Sequence, residues 1–426
     1  MLFRSTLLYE VSREITSILN REELLRRVAQ RVKKLVNYHL FSVMLWDERS
    51  QHLESVFGLQ FGDAIPTRMR LPLHHGITGI SAGERRTIRV ADTLDDPRYV
   101  QCETGIVVRS ELVIPLLIQD RLIGVLDLES TDPNAFTAEH ERMLATLGSY
   151  IAIALENARL YEETRETERR LQADLATARE IQRSLLPTGA REVPGLELAA
   201  AYAPARELGG DFYDFLPYGQ GRLAMVLGDV SGKGTAAALF ASLAIGIVRE
   251  HVVEHPCRPS EMLAMLNGRL HAARLDSRFI ATLFSVYDAG TRRLTLSNAG
   301  GPYPLLVRDG AVQSIRVAGI PLGLFPDTQY EELTLDLVPG DVVLFASDGI
   351  LESANSNLEE FGADRLSAVL AGLSPLQSAD EIAAIIIAAT DDYSGAGVAP
   401  YDDRTLLVLR VTDHSSTDFS KLPIIY

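Results

Sequence analysis

Four short aspartate-bearing segments follow one another through the C-terminal half of the chain: Gly209-Gly210-Asp211-Phe212-Tyr213-Asp214, Gly228-Asp229-Val230-Ser231-Gly232-Lys233-Gly234, Ala346-Ser347-Asp348-Gly349 and Asp402-Asp403-Arg404-Thr405. Each adjoins an apolar, β-prone run. Residues 223–227 lead into Asp229, residues 342–345 lead into Asp348, and residues 406–409 follow the last pair, so the carboxylates fall at strand ends. Carboxylates crowded at the ends of buried strands repel one another, and a hard divalent cation with oxygen ligands removes that repulsion. No His or Cys stands beside these segments, which argues against zinc and for Mg²⁺ or Mn²⁺. The chemistry open to such a set is hydrolysis at a two-ion centre, where water is activated near neutral pH and the charge of a phosphate is offset. No enzyme nucleophile is required. Ser231 lacks the strand-to-helix setting and the His and Asp partners of a nucleophilic serine.

Taken singly, each segment reads more readily as a plain turn, because Asp-Gly is among the commonest turn dipeptides. Their order is what distinguishes them. The succession GGDFYDF, GDVSGKG, NAGGPYPLL, GIPLG, FASDGILE and DDRTLLVL, from about Gly195 to Thr412, resembles the PPM-type metal-dependent serine/threonine phosphatases in their bacterial SpoIIE/RsbU branch. That resemblance implies that Asp229 bridges two Mn²⁺ or Mg²⁺ ions, that the Val230 carbonyl is a further ligand, and that Asp348 and Asp402 complete the set. Asp211 matches the position that binds or orients metal-bound water. Asp211, Asp229 and Asp348 are thus the expected catalytic carboxylates. Asp214 and Asp403 match neighbouring positions, and Lys233 either positions the loop or the phosphate or is simply solvated.

The same resemblance implies an αββα sandwich over 188–413 that hydrolyses phosphoserine or phosphothreonine, with a phosphorylated STAS-type anti-sigma-factor antagonist as substrate. A catalytically silent scaffold that binds such a partner is the alternative. One departure is visible at Asn298-Ala299-Gly300-Gly301, where the family often has a histidine at the fourth place. The diguanylate cyclase signature matches the first three residues of GGDFYDF but has no use for the later segments.

The expected fold class is α/β multidomain. A chain of 426 residues with 46% hydrophobic content supports more than one packed core. The formal net charge of −16 argues against a nonspecific nucleic-acid surface. Two cysteines, Cys102 and Cys257, give no disulfide framework, so a reducing cytoplasm is expected. His251 and His255 stand four apart without a third ligand, and His74 and His75 are adjacent, so neither pair is expected to hold a metal. Near the N-terminus apolar residues alternate with Arg4, Glu10, Arg13 and Glu14. No run is read as approaching the ~20 apolar residues of a membrane span. Helices are expected over 235–253, 260–274, 363–371 and 379–392, and residues 414–426 form a short tail.

Residues 1–155 read as a separate α/β unit. Leu8, Val11, Ile15 and Ile18 recur at helical spacing, Leu24, Leu25, Val28, Val32 and Val36 mark a second helix, and strand-like runs follow over 41–46, 53–58, 87–90, 110–119 and 122–129. With Gly76-Ile77-Thr78-Gly79 before the middle and a long helix after Asn134-Ala135-Phe136-Thr137, this order resembles a GAF domain, which implies a pocket for an unidentified signal. Trp46, Phe57, Phe61 and Tyr99 either line such a pocket or pack in the core. The cyclic-nucleotide form of the signature is fragmentary around Asn134, Phe136 and Glu141.

Between the two units, over 156–187, a coiled-coil linker is expected. Leu144, Leu147, Ile151, Ala154, Ala158 and Tyr161 alternate three and four apart, and Leu171, Leu175, Ala178, Gln182 and Leu185 resume the alternation after a phase break at Thr164 and Glu168. Pairing of this seam predicts a parallel homodimer. The stretch from Ala178 to Pro187 resembles the helix that enters the catalytic domain in SpoIIE/RsbU relatives, which makes Ile181, Gln182 and Leu185 the expected regulatory residues.

Overall fold

Alternation along the strands determines how the layers of this protein form. The computed structural model describes residues 13–66, 69–100, 105–187, 191–193, 195–219, 221–273, 278–395, 398 and 400–413. The chain divides into two compact units, Met1–Leu171 and Gln172–Tyr426. Leu8, Val11, Cys102 and the tail 414–426 lie outside the described residues.

In the first unit, helix α1 (Arg21–Leu35) starts at Asn20, whose side chain accepts a hydrogen bond from the Glu23 amide at 2.9 Å. Glu22 and Glu23 in the first turn and Lys33 and Lys34 in the last suit the helix dipole. Strands β1 (Leu40–Asp47), β2 (His52–Gln60), β3 (Asp63–Ala64), β4 (Arg70–Pro72), β5 (Ile88–Val90), β6 (Ser110–Ile118) and β7 (Arg121–Ser130) form one antiparallel sheet. Its order is β3-β2-β1-β7-β6-β5, with β4 also paired to β2. Leu112, Ile114, Leu116, Leu126 and Leu128 point to one face and pack with α1 and the long helix α3 (Ala138–Leu185). Val113 and Val125 point to the other face, beneath helix α2 (Gly76–Glu84).

Helix α3 is 48 residues long and opens at Thr137, whose hydroxyl accepts from the His140 amide at 3.2 Å. Its residues Leu144, Leu147, Ile151, Ala154 and Ala158 are fully buried in the first unit's own core. This corrects the expectation that they form an intermolecular seam: a helix packed on its own sheet shows the same three-and-four spacing as a coiled coil. Among the described residues of α3, the exposed large apolar side chains are Tyr150, Ile153, Leu160, Tyr161, Leu171 and Ile181.

The second unit contains two antiparallel sheets. The first has the order β10 (Phe212–Pro217), β11 (Arg222–Val230), β12 (Ile280–Asp288), β13 (Arg293–Ala299), β16 (Glu332–Asp336). The second has the order β15 (Ala311–Ser314), β14 (Leu305–Arg308), β17 (Val342–Ala346), β18 (Arg404–Val411), β9 (Leu196–Ala203), β8 (Arg191–Val193). Leu407, Leu409 and Val411 of β18 join Val343 and Phe345 of β17 in the core shared with the first sheet, and Leu406 and Val408 face the opposite way. Helices α4 (Thr235–Glu254) and α5 (Pro259–Ala272) cover the first sheet, and α7 (Gly362–Ala371) and α8 (Ala379–Ser394) cover the second. The short α6 (Asp348–Leu351) follows β17. The layers are αββα.

Residues Thr235–Val253 of α4 are long and apolar enough to cross a membrane by length and composition, a segment that the reading of the sequence passed over. Phe240, Ala241, Ala244 and Val248 are buried, on a helix packed against β10 and β11. Because Ile151 sits in the first unit's core, Ile151→Ala should destabilise the protein by about 2–5 kcal/mol in urea unfolding and leave its sedimentation at micromolar concentration unchanged.

Candidate metal centre

Antiparallel pairing brings the aspartates together in two couples. In the first sheet Phe212 of β10 is in register with Gly228 of β11, so Asp211, just before β10, lies opposite Asp229, next to last in β11. In the second sheet Ala346 of β17 is in register with Leu406 of β18, so Asp348, just past β17, lies beside Asp402 and Asp403, just before β18. The Ser347 amide completes that junction by donating to the Thr405 carbonyl at 2.8 Å.

Asp211 is 1% exposed. One of its oxygens accepts from the Thr405 hydroxyl. The other, Oδ1, is buried and finds no hydrogen bond of good geometry among the described residues, and the Asp229 carboxyl and the Ser347 hydroxyl stand near the Asp211 carboxyl. Burial, then the charge of Asp229, raises the Asp211 carboxyl well above the usual carboxylate range. Burial, with repulsion from Asp348 and Asp402, pushes Asp229 up to about 7, against a hydrogen bond with Asp211. Asp348 is raised by burial and by Asp402. An orphaned carboxylate oxygen within a set of mutually repelling acids is what a cation site requires, and the all-oxygen donor set suits Mg²⁺ or Mn²⁺.

A cavity of about 220 Å³ opens beside Asp229 and Asp348, with Ser347, Gly300, Gly301 and Pro302 among its walls. The Asn298 side chain bonds both the amide and the carbonyl of Gly301, at 2.8 and 3.0 Å, and so holds that wall. Lys233 is not simply solvated. Its ammonium lies 2.9 Å from Asp402, 3.8 Å from the centre of the Tyr401 ring, and donates to the Tyr401 carbonyl. Val230 is buried at the end of β11, with its carbonyl close to Gly210.

Two of the sequence candidates have other duties. Asp403 accepts from the amides of Ala205 (2.7 Å), Gly210 and Asp211 (3.4 Å), and so fastens the loop that carries Asp211. Asp214 lies within β10, pairs with Arg249 at 2.6 Å, and accepts from the Phe215 amide. Arg249 also donates to the Leu185 carbonyl at the end of α3. Gln182 is buried and makes two bonds to Gly209, from Nε2 to the carbonyl at 2.6 Å and from the amide to Oε1 at 3.2 Å. Ile181, by contrast, is exposed, and Leu185 is half-buried.

Glycine is required twice. A Cβ on Gly209 would fall 2.2 Å from the Tyr202 hydroxyl and 2.7 Å from Asp403, and one on Gly349 would fall 2.0 Å from the Asp403 carbonyl. Three contributors escape a reading of the sequence. Thr405 and Ser347 hold Asp211 and the strand ends, and Glu352 is raised by burial and then by the charges of Asp348, Glu360 and Asp402. Only Glu352 left a signal, four residues past Asp348 and so one helical turn on.

Residues 219–412 match the family Stage II sporulation protein E (SpoIIE), and residues 19–156 match the GAF domain. The chain joins a GAF domain to a SpoIIE-type phosphatase domain. Protein IcfG of Synechocystis is 28% identical over 228 residues, covering 46% of this chain and 35% of that protein. Phosphoserine phosphatase RsbU of Bacillus subtilis is 26% identical over 199 residues, covering 46% of this chain and 59% of that protein. The chain therefore spans less than two thirds of either curated relative. The SiaA-PP2C domain of Pseudomonas aeruginosa matches in fold with a TM-score of 0.50 at 22% identity, covering 57% of this chain and 98% of that domain.

In the phosphatase domain, Asp403→Asn turns a donor toward the Gly210 and Asp211 amides. It should cost about 2–3 kcal/mol of stability and weaken Mn²⁺ binding, as read by thermal unfolding with and without the ion.

Proposed function

We propose that the chain is a signal-regulated, metal-dependent protein serine/threonine phosphatase whose substrate is a phosphorylated STAS-type antagonist of an anti-sigma factor, acting in the cytoplasm. The observation that carries this reading is the meeting of the Asp211–Asp229 and Asp348–Asp402 couples beside a cavity, with one Asp211 oxygen left without a donor. Two Mg²⁺ or Mn²⁺ ions, held by Asp211, Asp229, the Val230 carbonyl, Asp348 and Asp402, supply charge neutralisation and an activated water when bound. Thr405 holds one oxygen of the Asp211 carboxyl, which lies beside the carboxyl of Asp229. Lys233 neutralises Asp402 and ties it to Tyr401. The wall formed by Gly300, Gly301 and Pro302 carries no acidic group, so a phosphate in the cavity meets no further negative charge there. Similarity to RsbU and RsbP, both phosphoserine phosphatases, supports phosphoserine as the group hydrolysed.

Regulation is assigned to the C-terminal end of α3, where Gln182 bonds the residue two before Asp211, and Leu185 is held through Arg249. The homodimer is assigned to the exposed face of α3, on which Tyr150, Ile153, Asn157, Leu160 and Thr164 alternate three and four apart. Ile153→Glu combined with Leu160→Glu should then give a monomer in sedimentation at micromolar concentration.

With a phosphoserine protein as substrate, hydrolysis should require added Mn²⁺ or Mg²⁺ and stop on chelation. Asp229→Asn or Asp348→Asn should lower the rate about a hundredfold or more. Gln182→Ala should lower it about tenfold while leaving thermal stability within a few degrees of the native chain. Activity that persists in chelator, or native rates in Asp229→Asn, would leave the scaffold reading in its place.

A further inference from the structure

The GAF domain buries a second set of acids that the phosphatase reading does not use. Glu111 on β6 is in register with Glu129 on β7, and Val113 with Asp127, so Glu111, Asp127 and Glu129 share one face of two neighbouring strands. Their ligand oxygens all lie within 4.8 Å of one another, and the residues are 2%, 8% and 8% exposed. Like charges directly opposite on paired strands destabilise a sheet, and burying them adds to the cost. Little in the fold offsets this. The Thr78 hydroxyl stands 3.3 Å from both Glu111 and Asp127, and its single proton serves one of them at a time. Asp127 Oδ1 is buried with no hydrogen-bond partner, and among the described residues none of the three acids belongs to an ion pair.

These carboxylates line one part of a cavity of about 680 Å³. Most of its remaining wall is apolar, including Leu40, Met44, Leu71, Ile77 and Val100. We propose that this cavity is the receptor site for an organic ammonium compound, its protonated amine seated on Glu111, Asp127 and Glu129 and its apolar body against Leu40, Met44 and Ile77. An ammonium carries three N–H donors and one positive charge, which matches three converging carboxylates and supplies the donor that Asp127 lacks. A bare divalent ion would seek six or more oxygen ligands and would use only the acidic end of the cavity. The apolar remainder, of a size typical of small-molecule sites, is accounted for by a ligand with a hydrocarbon part. Burial alone raises Asp127 to about 7, and burial together with its two neighbours raises Glu111 well above the usual range. A cation in their midst relieves that repulsion. The site stands on the geometry of the GAF domain and does not depend on what the phosphatase domain hydrolyses.

Calorimetric titration of the full chain tests this with n-propylammonium, n-hexylammonium and phenylethylammonium chlorides, each against its neutral alcohol. At least one amine should bind saturably and at least tenfold more tightly than its alcohol. Asp127→Asn and Glu129→Gln should each weaken that binding at least tenfold. Both variants should melt no lower than the native chain, because each removes a like charge. If Asp127→Asn melts lower, Glu111→Gln takes its place in the comparison. The proposal is overturned if no amine binds, if the alcohol binds as tightly as the amine, or if the folded variants bind the amine as the native chain does. It is equally overturned if Mn²⁺ or Ca²⁺ alone shows a binding step that Asp127→Asn abolishes and that excludes the amine, which would make this a metal site.

Discussion

The Asp403 carboxylate is the constraint on which the phosphatase domain depends. It gathers the amides of Ala205, Gly210 and Asp211, up to 198 positions earlier in the chain, against the start of the last strand. Its charge adds to the repulsion felt by Asp211 and Asp229. Everything nearer the candidate centre follows from that anchorage. The loop approaches so closely that Gly209 leaves no room for a side chain, Thr405 reaches Asp211, and the SDG turn closes over the Asp403 carbonyl. The aspartate that looks most redundant in the sequence thus positions its neighbours.

The two acidic clusters of this protein solve the same electrostatic problem in different places. In the phosphatase domain the acids stand at strand ends, where loops can supply amides and a lysine. In the GAF domain they stand within strands, whose amides are committed to the ladder, so side chains or a ligand must provide the donors. A single threonine hydroxyl does not suffice for three carboxylates. The charge balance of the strand-end cluster is therefore partly built into the protein, through Lys233 and the Asp403 amides, whereas that of the mid-strand cluster is left open.

The strand-end cluster was legible in the sequence because its signal is local: an aspartate, a glycine and an adjoining apolar run within a few residues. The helices and strands were legible for the same reason, since periodicity reports burial. Periodicity does not report against what a face is buried. The spacing of Leu144 to Ala158 fits a partner helix and the domain's own sheet equally well, and the structure places it on the sheet. Asp214 was drawn toward the centre by its nearness to Asp211, but three steps along β10 set it against Arg249. The GAF acids left a trace in the alternation Asp127-Leu128-Glu129 within an apolar strand. Their meeting with Glu111 depends on a register that no local pattern specifies.

The paired bonds between Gln182 and Gly209 give the end of α3 a discrete character. Successive side chains on a helix are turned by about 100°. If the helix twisted about its axis by one position, Ile181 or Arg183 would face the glycine in place of Gln182. Isoleucine offers neither donor nor acceptor, and arginine offers only donors. Of these three side chains only the glutamine can serve both halves of the Gly209 backbone. A rotation of the helix that carried Gln182 away would cost the loop before Asp211 its amide partner and its carbonyl partner together.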